Sequence, residues 1–204
     1  MFDSRSDMRV RIGGAFAVVA LLLLCTARAS GAVFFNDLAA ANGGSESASG
    51  SNWLTATFTT DSSSYTQLSA TLLLSNPTAG AAELDFYSDG GLQPGSQLAV
   101  LSSPASYASS LSNATFSKSG ISLTANTTYW LVLKANSGSF NWGWTNDSSI
   151  FEGWGNSFDA GASWFTDDAF PLQFSVTGSV PEPGCVGACV AALSALCARR
   201  GRRR

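Results

Sequence analysis

Few side chains in this chain of 204 residues could support catalysis, since it has no histidine and its four cysteines lie near the two ends, at positions 25, 185, 189 and 197. The stretch 33–179 therefore lacks the groups for Ser-His-Asp or Cys-His catalysis and for most transition-metal sites. A glycosidase needs two carboxylates at a controlled separation, and the candidates are Asp85, Asp89, Glu152 and Asp168. Sequence cannot supply that separation. We expect no enzyme activity, and glycoside hydrolysis is the least favoured alternative.

Aromatic residues are concentrated between positions 140 and 170: Phe140, Trp142, Trp144, Phe151, Trp154, Phe158, Trp164, Phe165 and Phe170. Aromatic faces stack on the apolar faces of sugars while Asn and Asp bond the hydroxyls, so Trp154, Trp142 and Trp164 are candidates for a carbohydrate platform. The alternative is core packing, because Trp142 and Trp144 share one strand face. Trp154 lies between two glycines and is expected to be exposed in a loop.

Calcium is the one cofactor for which the sequence offers ligands. Asp89 in an Asp-Gly-Gly turn and the pair Asp167 and Asp168 carry oxygens of the kind calcium binds. There is no EF-hand spacing, and Asp in a glycine-rich turn ordinarily serves backbone geometry. We expect no cofactor, with calcium at these residues as the alternative.

The elements that would position these residues are strands. Apolar residues alternate with period two at 53–59 and 68–74, which predicts strands with one buried face. Further strands are predicted at 83–87, 97–101, 114–117, 128–135, 139–144 and 172–177, with shorter ones at 33–35 and 163–165. Residues 39–51 are predicted to form a loop, and Lys118-Ser119-Gly120 a turn. This pattern favours an all-β fold, an antiparallel jelly-roll-like β-sandwich over residues 33–179.

Charge is distributed unevenly along the chain. Between residues 33 and 180 only Lys118 and Lys134 are basic, against eleven acidic residues, which gives this part a net charge of −9. A domain with this much negative charge repels phosphate backbones, and nucleic acid is therefore not expected as a partner.

The N-terminus has the three parts of a secretory signal. Arg5, Arg9 and Arg11 precede an apolar run at 12–25 and small residues at 27–32. Cleavage after Ala29 and cleavage after Ala32 both satisfy the small-residue rule, and we assign residues 1–32 to the signal peptide. The alternative is a membrane anchor, but 14 apolar residues reach only about 21 Å of the ~30 Å hydrocarbon core.

The C-terminal part, residues 180–204, has an equally distinct composition. Pro181, Glu182 and Pro183 precede an apolar run at 185–198, predicted as a helix, and then a basic cluster of Arg199, Arg200, Arg202, Arg203 and Arg204. By the positive-inside rule these arginines would stay on the cytoplasmic side. A plain tail anchor would share this topology.

These three elements, in this order, resemble the PEP-CTERM sorting signal of Gram-negative and related bacteria. The N-terminal signal implies cleavage by a signal peptidase, and the resemblance implies processing near Pro181, Glu182 and Pro183 by an exosortase, a membrane transpeptidase. It also implies association with exopolysaccharide and biofilm, at the outer surface or in the matrix. Before processing, the tail would hold the chain in the membrane.

Two stretches of the middle, residues 86–95 and 123–133, resemble the choice-of-anchor R domain of exported bacterial proteins. That resemblance implies a β-rich surface module without a known activity. Together the observations predict an exported, non-catalytic surface or matrix protein, with a carbohydrate-binding module as the alternative.

Overall fold

The computed structural model describes residues 31–147, 149, 153–167 and 169–179. Outside them lie residues 1–30 of the predicted signal peptide and the predicted sorting tail at 180–204. The candidate residues Glu152 and Asp168 also lie outside the described residues. The described residues form the strands β1 (Gly31–Asn36), β2 (Asn42–Ala48), β3 (Trp53–Thr59), β4 (Tyr65–Thr78), β5 (Ala82–Asp89), β6 (Pro94–Leu101), β7 (Ser112–Leu123), β8 (Thr128–Ala135), β9 (Ser139–Thr145), β10 (Trp154–Ser157), β11 (Phe165–Asp167) and β12 (Phe174–Ser179). They include no helix, and so none that could cross a membrane. The predicted all-β class is confirmed.

The strands form two antiparallel sheets. The first has the order β1-β12-β4-β9-β2, and β7 also pairs with the long strand β4. The second has the order β11-β10-β3-β8-β5-β6. Several neighbouring strands are far apart in sequence, as are β3 and β8 or β1 and β12, so the fold depends on long-range pairing.

A single apolar core lies between the sheets. Alternate residues of each strand point inward, as Leu54, Ala56 and Phe58 do from β3, and all three are buried. The ring of Phe34 on β1 stacks on that of Phe58, with 6.0 Å between centroids, which joins the two sheets. Burying one such phenylalanine contributes about 1.5–3 kcal/mol, and the domain relies on this term because it has no disulfide.

The prediction of a loop at 39–51 is wrong, because β2 occupies residues 42–48. This strand is small and polar, and it pairs with β9 in register Glu46 to Trp142. A Cβ atom at Gly43 or Gly44 would collide with the indole ring of Trp144. The small residues therefore allow an aromatic ring to lie against the backbone of an edge strand.

Two further local predictions are wrong. Lys118-Ser119-Gly120 lies inside β7 rather than in a turn, and Gly120 adopts a φ of 73° where β7 bulges against β4. The short strand predicted at 163–165 begins later, since β11 starts at Phe165.

Candidate functional site

Trp142 belongs to the core rather than to a surface platform. Its side chain is fully buried on β9, and its indole Nε1 donates a hydrogen bond to the carbonyl oxygen of Gln173 at 2.9 Å. Its ring also meets that of Phe174 edge-on. Trp142 therefore cannot contact a ligand at the surface.

Trp154 is not in an exposed loop, as its flanking glycines suggested, but opens strand β10. It pairs with Ala56 of β3, packs partly buried against the core, and donates its Nε1 hydrogen to the carbonyl oxygen of Ala169. Both glycines serve the packing. The carbonyl oxygen of Gly153 accepts a hydrogen bond from Thr57 N, and a Cβ atom at Gly155 would crowd the backbone of Phe165.

Exposed aromatic rings do occur beside the third candidate, Trp164. Phe158 is 62% exposed and Phe165 is 61% exposed, and their ring centroids are 6.0 Å apart. Trp164 is half-buried in the same loop, where Gly161 lies against the rings of Trp53 and Trp164. We call Phe158, Trp164 and Phe165 the aromatic edge, since they border the outermost strands β10 and β11.

Asp159 organises the loop that carries the aromatic edge. Its Oδ1 accepts hydrogen bonds from Ser163 N at 2.8 Å and Ser157 Oγ at 2.7 Å, and its Oδ2 accepts one from Ser163 Oγ at 2.6 Å. The bonds from Ser163, more than the one from Ser157, lower the pKa of Asp159 to about 2. The carboxylate therefore stays ionised and holds Ser157 and Ser163, on either side of the loop, together.

The aromatic edge offers a surface on which a ligand can stack. Rings on a loop that is held by hydrogen bonds lose little conformational entropy when a flat apolar face packs on them. The arrangement therefore suits the binding of an apolar or sugar-like face.

The two calcium candidates within the described residues, Asp89 and Asp167, do not come together. Asp89, at the end of β5, accepts hydrogen bonds from Gly91 N at 3.1 Å and from Trp130 Nε1 at 3.0 Å. Asp167 lies on β11 and accepts one from Ala169 N at 2.9 Å. Four strand spacings, about 19 Å, separate β5 from β11 in the sheet. Within the described part of the chain, no group of three or more cysteine, aspartate or glutamate side chains is placed to hold a metal ion.

Asp85, one of the glycosidase candidates, is inaccessible to a substrate. Its side chain is fully buried on the outer face of the second sheet, where its Oδ2 contacts Lys134 Nζ and accepts a hydrogen bond from Gln97 Nε2 at 2.8 Å. Burial raises its pKa to about 6, although the hydrogen bond and charge of Lys134 act in the opposite direction.

Sequence reasoning missed the group around Lys134, which we call the Lys134 cluster: Glu83, Asp85 and Lys134. Its one sequence signal is that Glu83 and Asp85 stand two apart on a strand and so share a face, with Lys134 one of two lysines in the domain. The pairing of β5 with β8 brings the lysine to them.

A groove of about 380 Å³ lies between the β4–β5 turn and residues 103–107. Asn76 and Tyr107 line it, and among the described residues the Oδ1 of Asn76 and the hydroxyl of Tyr107 have no hydrogen-bond partner. The ring of Tyr107 packs edge-on against Phe140, with 4.8 Å between centroids. The groove thus offers polar edges rather than a stacking face, and it suits a sugar less well than the aromatic edge does.

No protein-family model matches this chain, and neither does any curated protein.

Proposed function

We propose that this chain is an exported, non-catalytic protein of the bacterial cell surface or extracellular matrix. A signal peptidase removes the N-terminal segment, an exosortase-type transpeptidase processes the tail at Pro181-Glu182-Pro183, and the domain associates with exopolysaccharide. The residue patterns of the two ends support sorting, and the absence of histidine supports a non-catalytic role.

One structural observation carries this proposal. The first described strand, β1, pairs with the last, β12, so that Gly31 lies opposite Ser179. The sandwich therefore closes on itself within residues 31–179, which share only Gly31 and Ala32 with the predicted signal peptide and no residue with the predicted tail. It would keep its core after both segments are removed, as a processed protein must.

The same pairing favours one of the two signal cleavage sites. Gly31 and Ala32 pair with Ser179 and Gly178. Cleavage after Ala32 would remove both from β1, whereas cleavage after Ala29 leaves the strand complete. We therefore expect Ser30 as the mature N-terminus.

The domain itself is proposed to be a jelly-roll-like module of the choice-of-anchor R type. The two stretches that resemble this family meet in space, because Trp130 of β8 donates its Nε1 hydrogen to Asp89 at the end of β5. This contact gives a physical reason for the Asp-Gly-Gly turn and the Tyr-Trp pair to occur together in one module.

Cell fractionation tests the sorting proposal. Alanines replace Pro181-Glu182-Pro183 in the full-length protein, produced in its own host, with the exposed Pro77→Ala change in β4 as a matched control. We expect the wild type and the control to lose the tail and leave the inner membrane, and the triple variant to keep its tail there. Equal tail retention by all three would refute exosortase processing.

A second candidate function, carbohydrate binding, rests on the aromatic edge. Two exposed phenylalanines and a half-exposed tryptophan on an ordered loop form a stacking surface, and each ring contributes about 1 kcal/mol, or about fivefold in affinity. Affinity gels containing the host exopolysaccharide should retard the wild type, and Phe158→Ser or Trp164→Ala should be retarded less. Leu92→Ser, at the exposed tip of the β5–β6 hairpin, is the control. The absence of retardation of any variant, wild type included, would refute this candidate.

A further inference from the structure

The Lys134 cluster joins two neighbouring strands. Glu83 and Asp85 lie on β5, and Lys134 lies on β8 directly opposite Glu83. Lys134 Nζ contacts Asp85 Oδ2 and lies 3.6 Å from Glu83 Oε1. One amine thus faces two carboxyl groups across a strand pair.

This amine and its main partner are shielded from water. The side chain of Asp85 is fully buried and that of Lys134 is only 12% exposed. The centroid of the Trp53 ring is 4.4 Å from Nζ, and that of the Tyr87 ring is 5.8 Å away. Two aromatic rings therefore shield the pair from solvent, in a place where a full ionic charge is costly.

The pair is poorly arranged for a stable buried ion pair. Such a pair offsets the cost of desolvation only when further hydrogen bonds satisfy the remaining lone pairs. Among the described residues, Asp85 Oδ1 has no hydrogen-bond partner. The carboxyl group is therefore only half satisfied as an anion.

We propose that Lys134 and Asp85 become joined by an intramolecular amide bond, with Glu83 as the group that transfers protons during its formation. This bond would be a covalent tie between β5 and β8, formed by the folded protein on itself. Nothing in it depends on the sorting of the chain or on its binding to polysaccharide.

The reaction is a balanced condensation. Lys134 Nζ, after giving a proton to Glu83, attacks Asp85 Cγ and forms the new C–N bond. The C–O bond to one carboxyl oxygen then breaks, and that oxygen leaves as water with two hydrogens that come from the ammonium group. Glu83 passes these protons on and ends in its starting state, so one positive and one negative charge disappear and one water is released.

Three features of the cluster favour this step. Folding holds the amine of Lys134 against the carboxyl group of Asp85, which replaces a bimolecular encounter with a positioned one. The aromatic cover excludes water, which favours condensation over hydrolysis. Burial also raises the pKa of Asp85 to about 6, and the charge of Glu83 acts in the same direction, so the protonated carboxyl group from which water can leave is accessible near neutral pH.

Mass spectrometry of the full-length protein, in whatever processed form the host makes, tests the bond. Lys134→Arg changes the mass by about 28 Da if the wild type is not cross-linked, and by about 46 Da if the wild type has lost a water. Because both proteins share the same processing, the difference does not depend on the cleavage sites. A difference of about 28 Da overturns the proposal.

Trypsin gives a second, independent readout on the denatured wild type. Trypsin cleaves after a free lysine, and Lys118, exposed on β7, is the other lysine of the domain. We expect complete cleavage after Lys118, none after Lys134, and one peptide species that contains both Asp85 and Lys134. Equal cleavage after the two lysines would overturn the proposal even if a variant failed to fold.

The role of Glu83 is tested by Glu83→Gln, with the exposed Glu46→Gln of β2 as the matched control. We expect the control to be fully cross-linked. In Glu83→Gln the amide bond should not form, or should form at least tenfold more slowly. A Glu83→Gln protein cross-linked as fast as the control would overturn the assignment of proton transfer to Glu83.

Discussion

Replacing Lys134 with methionine leaves the carboxyl group of Asp85 buried without its cation. We expect this single variant to be clearly less stable than the double variant in which Asp85→Asn is added. The comparison isolates the cost of the buried acid, because both proteins lack the lysine to the same extent and neither can form the amide bond. Asparagine also keeps an oxygen that can accept the hydrogen bond from Gln97.

The size of the effect follows from the pKa of Asp85. Burial raises the pKa of Asp85 from 3.8 to about 6 even though the hydrogen bond and charge of Lys134 lower it, so removal of the lysine should raise this pKa further. Each pKa unit corresponds to about 1.4 kcal/mol, so at pH 7 the single variant should lose at least about 3 kcal/mol to this group. At pH 5 the solution pH is closer to 3.8, the pKa of Asp85 in the unfolded chain, and the loss of stability falls to about 2 kcal/mol.

The sign of the pH dependence is fixed by the direction of the shift. The folded state binds the proton of Asp85 more tightly than the unfolded state does, so stability is highest below the unfolded pKa and is lost as pH rises through the folded one. Urea unfolding at pH 7 and pH 5, followed by tryptophan fluorescence, measures this. Equal stabilities of the two variants at pH 7, or a difference that does not shrink at pH 5, would refute the reasoning.

Five other substitutions test the packing of the domain. Trp142→Ala should destabilise the domain by about 3–5 kcal/mol, because the indole is fully buried. Trp164→Ala should destabilise it by less than about 2 kcal/mol, because that side chain is only half-buried. Thermal unfolding compares the two variants. Gly138→Ala should lower the free energy of unfolding by about 2 kcal/mol or more, since φ is 68° and the added carbon would collide with the β4–β5 turn. Gly91→Ala, at φ 78° with no atom near the added carbon, should lower it by only about 1 kcal/mol. Urea unfolding measures both. Asp159→Asn should make the loop of the aromatic edge more sensitive to limited proteolysis without unfolding the sheets, and unchanged proteolysis would show that the carboxylate does not order it.

The strands most accurately predicted from sequence are short runs rich in apolar, aromatic and β-branched residues. β3 and β8 begin and end at the predicted residues, and each is buried at five consecutive positions, 54–58 and 129–133. β2 could not be predicted in this way because it has almost no apolar residues. Its place in the sheet depends on Trp144, far away in sequence, whose ring lies against Gly43 and Gly44.

The candidate site was only partly predictable, because it too depends on contacts between residues that are distant in sequence. Aromatic density around residues 140–170 is visible in the sequence, but which rings face outward depends on the pairing of β9 and β10 with other strands. Glycines beside Trp154 suggested a flexible loop, whereas Gly155 is needed for a close approach to β11. In the Lys134 cluster the lysine is 49 positions from Asp85 in the sequence, and no local pattern predicts such a contact.

The most direct test of the proposed function is the intact mass of the native protein isolated from its own cells, with both termini confirmed by peptide sequencing. We predict a mature chain that begins at Ser30 and ends at or near Pro181-Glu182-Pro183, without the apolar run and arginines that follow. A protein that keeps both residues 1–29 and residues 184–204 would contradict export and sorting together.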